Sequence, residues 1–185
     1  MRVGLLLAAG LSRRFGGDDK LLALFRGQAL VSHAAAVMAQ LSLDRRLAVV
    51  SSGEVERHLA GFDLVRNPAP ENGQGVSLAL GAAAAERLGA TRLLVMLADM
   101  PLITSDHCQS VLERCTDERS SASSDGAHSM PPVCLSAKDL KRFVQHQGDS
   151  GARGFIAGLP QDALVHVGSH ILADIDTRKM LENWR

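Results

Sequence analysis

The chain has 185 residues, of which 46% are hydrophobic and 22% charged, with 20 Lys and Arg set against 20 Asp and Glu. That length is enough for one domain with a proper core. The zero net charge, together with one Trp, five Phe and no Tyr, leaves neither a basic footprint for nucleic acid or anionic membrane nor a base-stacking platform.

The first apolar stretch, Val3 to Ala8, has the length of a strand covered on both faces. It runs directly into Arg13 and Arg14, so it reads as a buried first strand and not as a signal peptide. No run approaches the roughly 20 apolar residues that span a bilayer. Leu21 to Phe25 is a second short apolar run, closed by Arg26-Gly27. Gln28 to Leu41 carries Leu30, Ala34, Val37, Met38 and Leu41 at helical spacing. Leu47 to Val50 predicts a strand, Ser51 to Glu54 a helix start for Val55 to Ala60, and Phe62 to Val65 a further strand broken by Asn67-Pro68-Ala69-Pro70. Beyond a polar loop, Val76 to Leu88 is an alanine-rich helix closed by Gly89.

Leu93 to Ala98 is the most apolar strand candidate and ends at Asp99-Met100-Pro101. Thr104 caps a helix running through Cys115. Arg119 to Gly126 is Ser-rich, an edge strand or a loop, and Pro132 to Leu135 is strand-like. Helices are expected over Ala137 to Gln145 and Ser150 to Gly158. Closing strands are expected at Leu164 to Val167 and around Ile171 to Ile175, followed by a last helix from Thr177 to Trp184. Strands alternating with helices predict an α/β fold: one Rossmann-like domain over residues 1–185, its mostly parallel mixed sheet flanked by helices on both faces. The cysteines, Cys108, Cys115 and Cys134, are odd in number and scattered, which suits buried reduced thiols in the cytoplasm. Asp106-His107-Cys108 reads as an exposed helix opening. The string Gly148-Asp149-Ser150-Gly151 imitates a serine-protease nucleophile, but on a chain whose pattern is not all-β.

In such sheets ligands bind beyond the carboxyl ends of the strands, which directs attention to two segments. Leu7-Ala8-Ala9-Gly10-Leu11-Ser12-Arg13-Arg14-Phe15-Gly16-Gly17-Asp18-Asp19-Lys20 combines small residues, which let a ligand reach backbone amides, with Arg and Lys that can close over phosphates. Its spacing is neither GxxxxGK[ST] nor GxGxxG, so Walker and dinucleotide readings fail. The second segment is the strand ending at Asp99, a carboxylate at the rim of the sheet of the kind that Mg²⁺ prefers. A turn or helix-cap aspartate is the alternative.

Taken together, these motifs resemble the nucleotidyltransferases of the molybdenum cofactor cytidylyltransferase and guanylyltransferase group, whose fold is that of the nucleotide-diphospho-sugar transferases. Asn67-Pro68 with Gly73-Gln74-Gly75-Val76-Ser77-Leu78 resembles the base-binding loop of that group. Gly148-Asp149-Ser150-Gly151-Ala152-Arg153 and Asp174-Ile175-Asp176-Thr177 resemble two further segments, so five matches in order cover nearly the whole chain.

The resemblance implies that Leu7, Ala8, Ala9, Gly10, Ser12, Asn67, Gly75 and Ser77 surround a nucleotide, with Arg14 and Lys20 on its triphosphate. Asp99 and Asp176 would hold Mg²⁺, with Asp174 as a helper, and Asp149 and Arg153 would shape the acceptor site. Arg14, Lys20 and Asp99 are then the catalytic residues. The implied reaction joins the NMP of an NTP to a phosphorylated, molybdopterin-type acceptor and releases pyrophosphate. CTP is favoured by Ala8-Ala9-Gly10 and Asp174-Ile175-Asp176-Thr177. GTP comes second and a sugar- or alditol-phosphate acceptor third, while a cofactor-binding chaperone is the non-enzyme alternative. A transient contact with a molybdoenzyme or its chaperone would follow. The chain departs from the group in two places. Ala127-His128-Ser129-Met130-Pro131-Pro132-Val133 stands where Gly-His-Pro is usual, and Asp18-Asp19 separate Gly17 from Lys20 where one residue is usual.

Overall fold

A computed structural model describes residues 1–12, 15–16, 19–145 and 151–183. Among these, nine strands and seven α-helices follow in the order β1 (Arg2–Ala8), β2 (Leu24–Phe25), β3 (Gln28–Ala29), α1 (Leu30–Ala39), β4 (Arg45–Val50), α2 (Gly53–Glu56), β5 (Asp63–Arg66), α3 (Gln74–Arg87), β6 (Arg92–Leu97), α4 (Ser105–Arg114), β7 (Ser121–Ser124), β8 (Ser129–Ser136), α5 (Ala137–Val144), α6 (Arg153–Ala157), β9 (Leu164–His166) and α7 (Arg178–Asn183). The main sheet has the order β5-β4-β1-β6-β8-β7-β9, and β2 with β3 forms a separate small hairpin. Pairing is parallel across β5, β4, β1 and β6, and β8 alone runs antiparallel to its neighbours. The expected mixed, mostly parallel α/β sheet is the one observed.

Side-chain alternation along β1 sorts the core into two layers. Leu6 and Ala8 pack with Leu30, Ala34 and Met38 of α1 and Cys108, Val111 and Leu112 of α4. Val3 and Leu5 pack on the opposite face with Leu78, Ala82 and Ala85 of α3 and Leu140 of α5. Chain order therefore reverses between β1 and β6: β1 leads to β4 on one side, while β5 leads through α3 to β6 on the other. A crevice opens beyond the carboxyl ends of β1 and β6, at that reversal. No helix among the described residues is long and apolar enough to cross a membrane.

The Ser-rich segment corrects the edge-strand or loop expectation, because β7 is an interior strand with all four residues buried. Burying hydroxyls is tolerable because each finds a partner. Ser121 Oγ donates to the Val111 carbonyl at 2.6 Å, Ser123 Oγ donates to the Pro132 carbonyl at 3.0 Å, and Ser124 Oγ accepts from Gly126 N at 3.0 Å. His107 is likewise not an exposed helix residue. It is 6% exposed, and its Nε2 lies 2.8 Å from Ser123 Oγ. Around Ile171 the expected strand is instead a 3-10 turn, Ser169–Leu172. All three cysteines are free and buried, and burial pushes the Cys108 thiol up to about 12 and Cys134 well above its ordinary range. All three are packing groups, and the raised values keep the Cys108 and Cys134 thiols protonated at neutral pH.

Burial lowers the pKa of His107 below its ordinary 6.5, so the fold favours the neutral ring. The stability this contributes is complete above pH 6.5 and is lost as pH falls through the lower, folded-state value. The melting temperature of the wild type should thus fall more between pH 7.5 and 5 than that of His107→Gln, which cannot take up a proton. Equal losses in the two proteins would remove this role.

Candidate active site

Two adjoining cavities occupy the crevice. The first, about 380 Å³, is lined by Leu7, Ala9, Gly10, Leu11 and Ser12 from the end of β1 and the loop after it, and by Lys20. Pro70, Glu71, Gly73, Gln74 and Ser77 at the start of α3 complete it together with Asp99 and Asp176. The second, about 740 Å³, shares Leu7, Gln74 and Leu97 with the first and extends past Met100, His128, Met130, Pro131, Arg153, Ile156 and Asp174.

Most of the residues read from the sequence therefore come together, but not all face the cavity. Strand alternation turns Ala8 into the α1 layer, where it is buried, so that Leu7 and Ala9 line the cavity instead. Asn67 is buried behind the wall: its Nδ2 donates to Ser77 Oγ at 2.9 Å and its Oδ1 accepts from Ala69 N at 2.9 Å. Asn67 thus ties the end of β5 to the first turns of α3. Gly75 is buried in the first turn of α3. Gly73, at φ 93°, precedes that helix and supplies no side-chain cap, which leaves the first-turn N–H groups beside the cavity for an anion. Arg153 opens α6 and lines the second cavity. Arg14 and Asp149 lie outside the described residues.

The loop after β1 is held by its own polar groups. Ser12 adopts φ 50°, its carbonyl accepts from Phe15 N at 2.8 Å, and its hydroxyl accepts from Lys20 N at 3.0 Å. Asp19 caps the 3-10 turn Lys20–Leu22 by accepting from Leu21 N at 3.0 Å. From α7, Arg178 donates to the Phe15 carbonyl at 3.1 Å and lies over the Phe15 ring. Ser12 and Asp19 accordingly fix where Lys20 emerges.

The acids meet because the backbone brings them together. Asp99 lies two residues past the end of β6, and its carbonyl accepts from Ile175 N at 2.9 Å, which sets Asp174 and Asp176 on either side of that contact. Single ligand atoms of Asp99, Asp174 and Asp176 fall within 4.8 Å of one another. Lys20 Nζ lies between two of them, 2.6 Å from Asp99 Oδ2 and 2.8 Å from Asp176 Oδ1. Burial alone would lower the lysine pKa, but the two carboxylates outweigh it and the net shift is upward. Burial raises the Asp174 pKa, and the negative charges of Asp99 and Asp176 add to that shift. Asp99 Oδ1 is buried without a hydrogen-bond partner among the described residues. Three hard oxygen donors within 4.8 Å of one another, two of their carboxylates bridged by an ammonium and one, Asp99, with a further oxygen buried and unpaired, are a donor set that Mg²⁺ or Mn²⁺ would take. The residues fit a divalent ion.

Sequence reasoning assigned no role to Leu11, Glu71 or Gln74, although all three line the first cavity. Gln74 stands on the border of both cavities, and its Oε1 lies 3.2 Å from where a Cβ on Gly151 would sit. It falls inside the Gly73-to-Leu78 motif, which was the available signal.

The chain is similar to known proteins in sequence and in fold. The sequence matches the MobA-like NTP transferase domain over residues 4–166. It is 29% identical over 189 residues to the purine catabolism protein PucB of Bacillus subtilis, covering 95% of this chain and 91% of that protein. It is 28% identical over 150 residues to a molybdenum cofactor guanylyltransferase of Bradyrhizobium sp., covering 77% and 69%. The fold superposes on Rv0371c of Mycobacterium tuberculosis with a TM-score of 0.83 at 23% identity, covering 98% and 97%. A structure of that mycobacterial protein in complex with manganese matches with a TM-score of 0.73 at 16% identity, covering 99% and 97%. A match across most of its length, on a fold whose crevice gathers the motif residues, places the chain in the MobA-like NTP transferase family.

Proposed function

We propose that the protein transfers a nucleotidyl group from an NTP, with CTP as the preferred donor, to a phosphorylated acceptor of the molybdopterin type. The observation that carries this reading is the position of the acidic cluster. Asp99 and Asp176 line the first cavity, and Asp174 lines the second. Two substrates seated in the two cavities would meet at these carboxylates.

In this reading the first cavity takes the nucleotide, with the base near Gly73, Gln74 and Ser77 and the triphosphate running toward Gly10, Ser12 and Lys20. Arg14 is assigned to the same triphosphate. The larger second cavity takes the acceptor, its Met, Ile, Leu and Pro walls suiting a ring system and Arg153 a phosphate. Asp149 is assigned to that side as well. Asp99 and Asp176, with help from Asp174, would hold Mg²⁺, which when bound supplies positive charge between two phosphate groups that otherwise repel. The chain's own residues do the rest by placement. The acceptor phosphate is aligned for attack on the α-phosphorus, and Lys20 neutralises charge on the departing pyrophosphate. No covalent enzyme intermediate is needed, which suits two cavities whose walls contain no cysteine.

The preference for CTP rests on the Ala8-Ala9-Gly10 and Asp174-to-Thr177 segments. GTP is the second reading, favoured by relatives named molybdenum cofactor guanylyltransferases. Delivery of the product to a molybdoenzyme or its chaperone, in the cytoplasm, belongs to the same proposal. The test is pyrophosphate release from purified protein with each NTP, Mg²⁺ or Mn²⁺, and molybdopterin. Release that requires the acceptor and is fastest with CTP is expected. Nucleotide binding without pyrophosphate release from any NTP would leave a cofactor-binding chaperone instead.

A further inference from the structure

We infer that Lys20 is a built-in counter-ion that reserves the acidic cluster for a metal arriving with a polyphosphate, so that the site discriminates against the free divalent ion. The geometry is direct. Two hydrogens of the ammonium are directed at Asp99 Oδ2 and Asp176 Oδ1, at 2.6 and 2.8 Å, and all three side chains are largely withdrawn from water, at 12%, 17% and 35% exposure. A divalent cation and an ammonium cannot both occupy the space between these two oxygens, because the cations repel strongly at such separations where water screens little. Metal entry therefore requires Lys20 to leave.

Leaving costs Lys20 two charge-assisted hydrogen bonds unless another anion receives it. The backbone of Lys20 is pinned by Ser12, whose hydroxyl accepts from Lys20 N, and by Asp19 at the head of its turn. Its side chain can therefore swing only locally. The neighbouring space is the first cavity, which Lys20 itself lines along with Gly10, Ser12 and Gly73. A triphosphate there gives the ammonium a new anionic partner, and the vacated carboxylates then accept the metal. Metal and nucleotide are thereby coupled through one side chain, and by linkage each raises the affinity of the other by the same factor. Metal alone binds only to the fraction of molecules whose lysine has left, and its apparent affinity is reduced by that fraction.

The consequence is that removing a residue assigned to catalysis improves the binding of its metal. Mn²⁺ binding to the full chain is measured by electron paramagnetic resonance and calorimetry at pH 8, with no nucleotide or acceptor present. Lys20→Met and the polar Lys20→Gln should each bind Mn²⁺ at least about tenfold more tightly than wild type, as expected for removal of a buried competing charge. Lys20→Arg, which restores that charge, should return the affinity toward the wild-type value. Repeating the titration with inorganic tripolyphosphate should show a large enhancement of Mn²⁺ affinity in wild type, and one at least tenfold smaller in Lys20→Met and Lys20→Gln. Circular dichroism confirms that each variant is folded, and either uncharged variant suffices if the other does not fold. Unchanged Mn²⁺ affinity in the folded uncharged variant, equal tightening in Lys20→Arg, or an undiminished tripolyphosphate enhancement would each overturn the inference. The proposed function enters only through the identity of the anion that receives Lys20. Absence of pyrophosphate release would therefore sink that function while leaving a tenfold tightening of Mn²⁺ in place.

Discussion

Asp99→Asn should lower acceptor-dependent pyrophosphate release by at least about a hundredfold at saturating substrates, a loss of about 2.7 kcal/mol or more in transition-state stabilisation. The substitution keeps the size of the side chain. It also keeps the backbone carbonyl that accepts from Ile175 N and holds the last segment of the chain beside β6. What it removes is one negative charge, at the point where Lys20 Nζ makes its 2.6 Å contact and where the buried, unpartnered Oδ1 lies. The fold should survive, because the charge removed sits in a cluster of three mutually repelling carboxylates. A folded, thermally intact Asp99→Asn protein with near-normal turnover would refute the metal-binding assignment and the transfer mechanism with it. Asp174→Asn should do less damage, since Asp174 is the exposed member of the cluster.

How far the sequence carries toward this site depends on what kind of contact each residue makes. Val3 to Ala8 and Leu93 to Ala98 announce the two central strands because both faces of those strands are covered and the apolar run is unbroken. That places Gly10 and Asp99 at the rim with little room for error. The Ser-rich β7 is opaque for the opposite reason. Its burial depends on hydroxyls bonding to the Val111 and Pro132 carbonyls and to His107, partners that are distant in sequence or in other elements. Composition sees only polarity there. The segment around Ile171 misleads because β-branched and apolar residues also serve a 3-10 turn that packs Leu172 into the core. At the site, the motif supplies Lys20 and the two aspartates but not their mutual contact, which depends on the Ile175-to-Asp99 backbone hydrogen bond. Ala8 and Asn67 belong to the motif yet support the wall from behind, since a motif records which residues a site needs and not which of them touch the ligand.

Gly81→Ala should destabilise the protein by about 1–3 kcal/mol, the range for overpacking a filled core, and lower its melting temperature by roughly 3–10 °C. Helix propensity argues the other way, because Ala in a helix interior is about 1 kcal/mol better than Gly. Packing should win because of where the residue lies. Gly81 sits in α3 directly against β1, and a Cβ there would collide with Cδ1 and Cδ2 of Leu5. Leu5 is fully buried between β1 and the α3 layer, so it has no solvent-side space into which to retreat. Relief requires α3 to lift from the sheet. The same helix carries Gln74 and Ser77 at its start, opposite Leu7 and Ala9 of the β1 segment. A lifted helix would widen the first cavity, so under the proposed function the variant should also show a raised KM for the NTP with a smaller change in kcat. A melting temperature above that of wild type would mean that α3 and β1 do not approach through Gly81, and that the wall of the first cavity is set by some other contact.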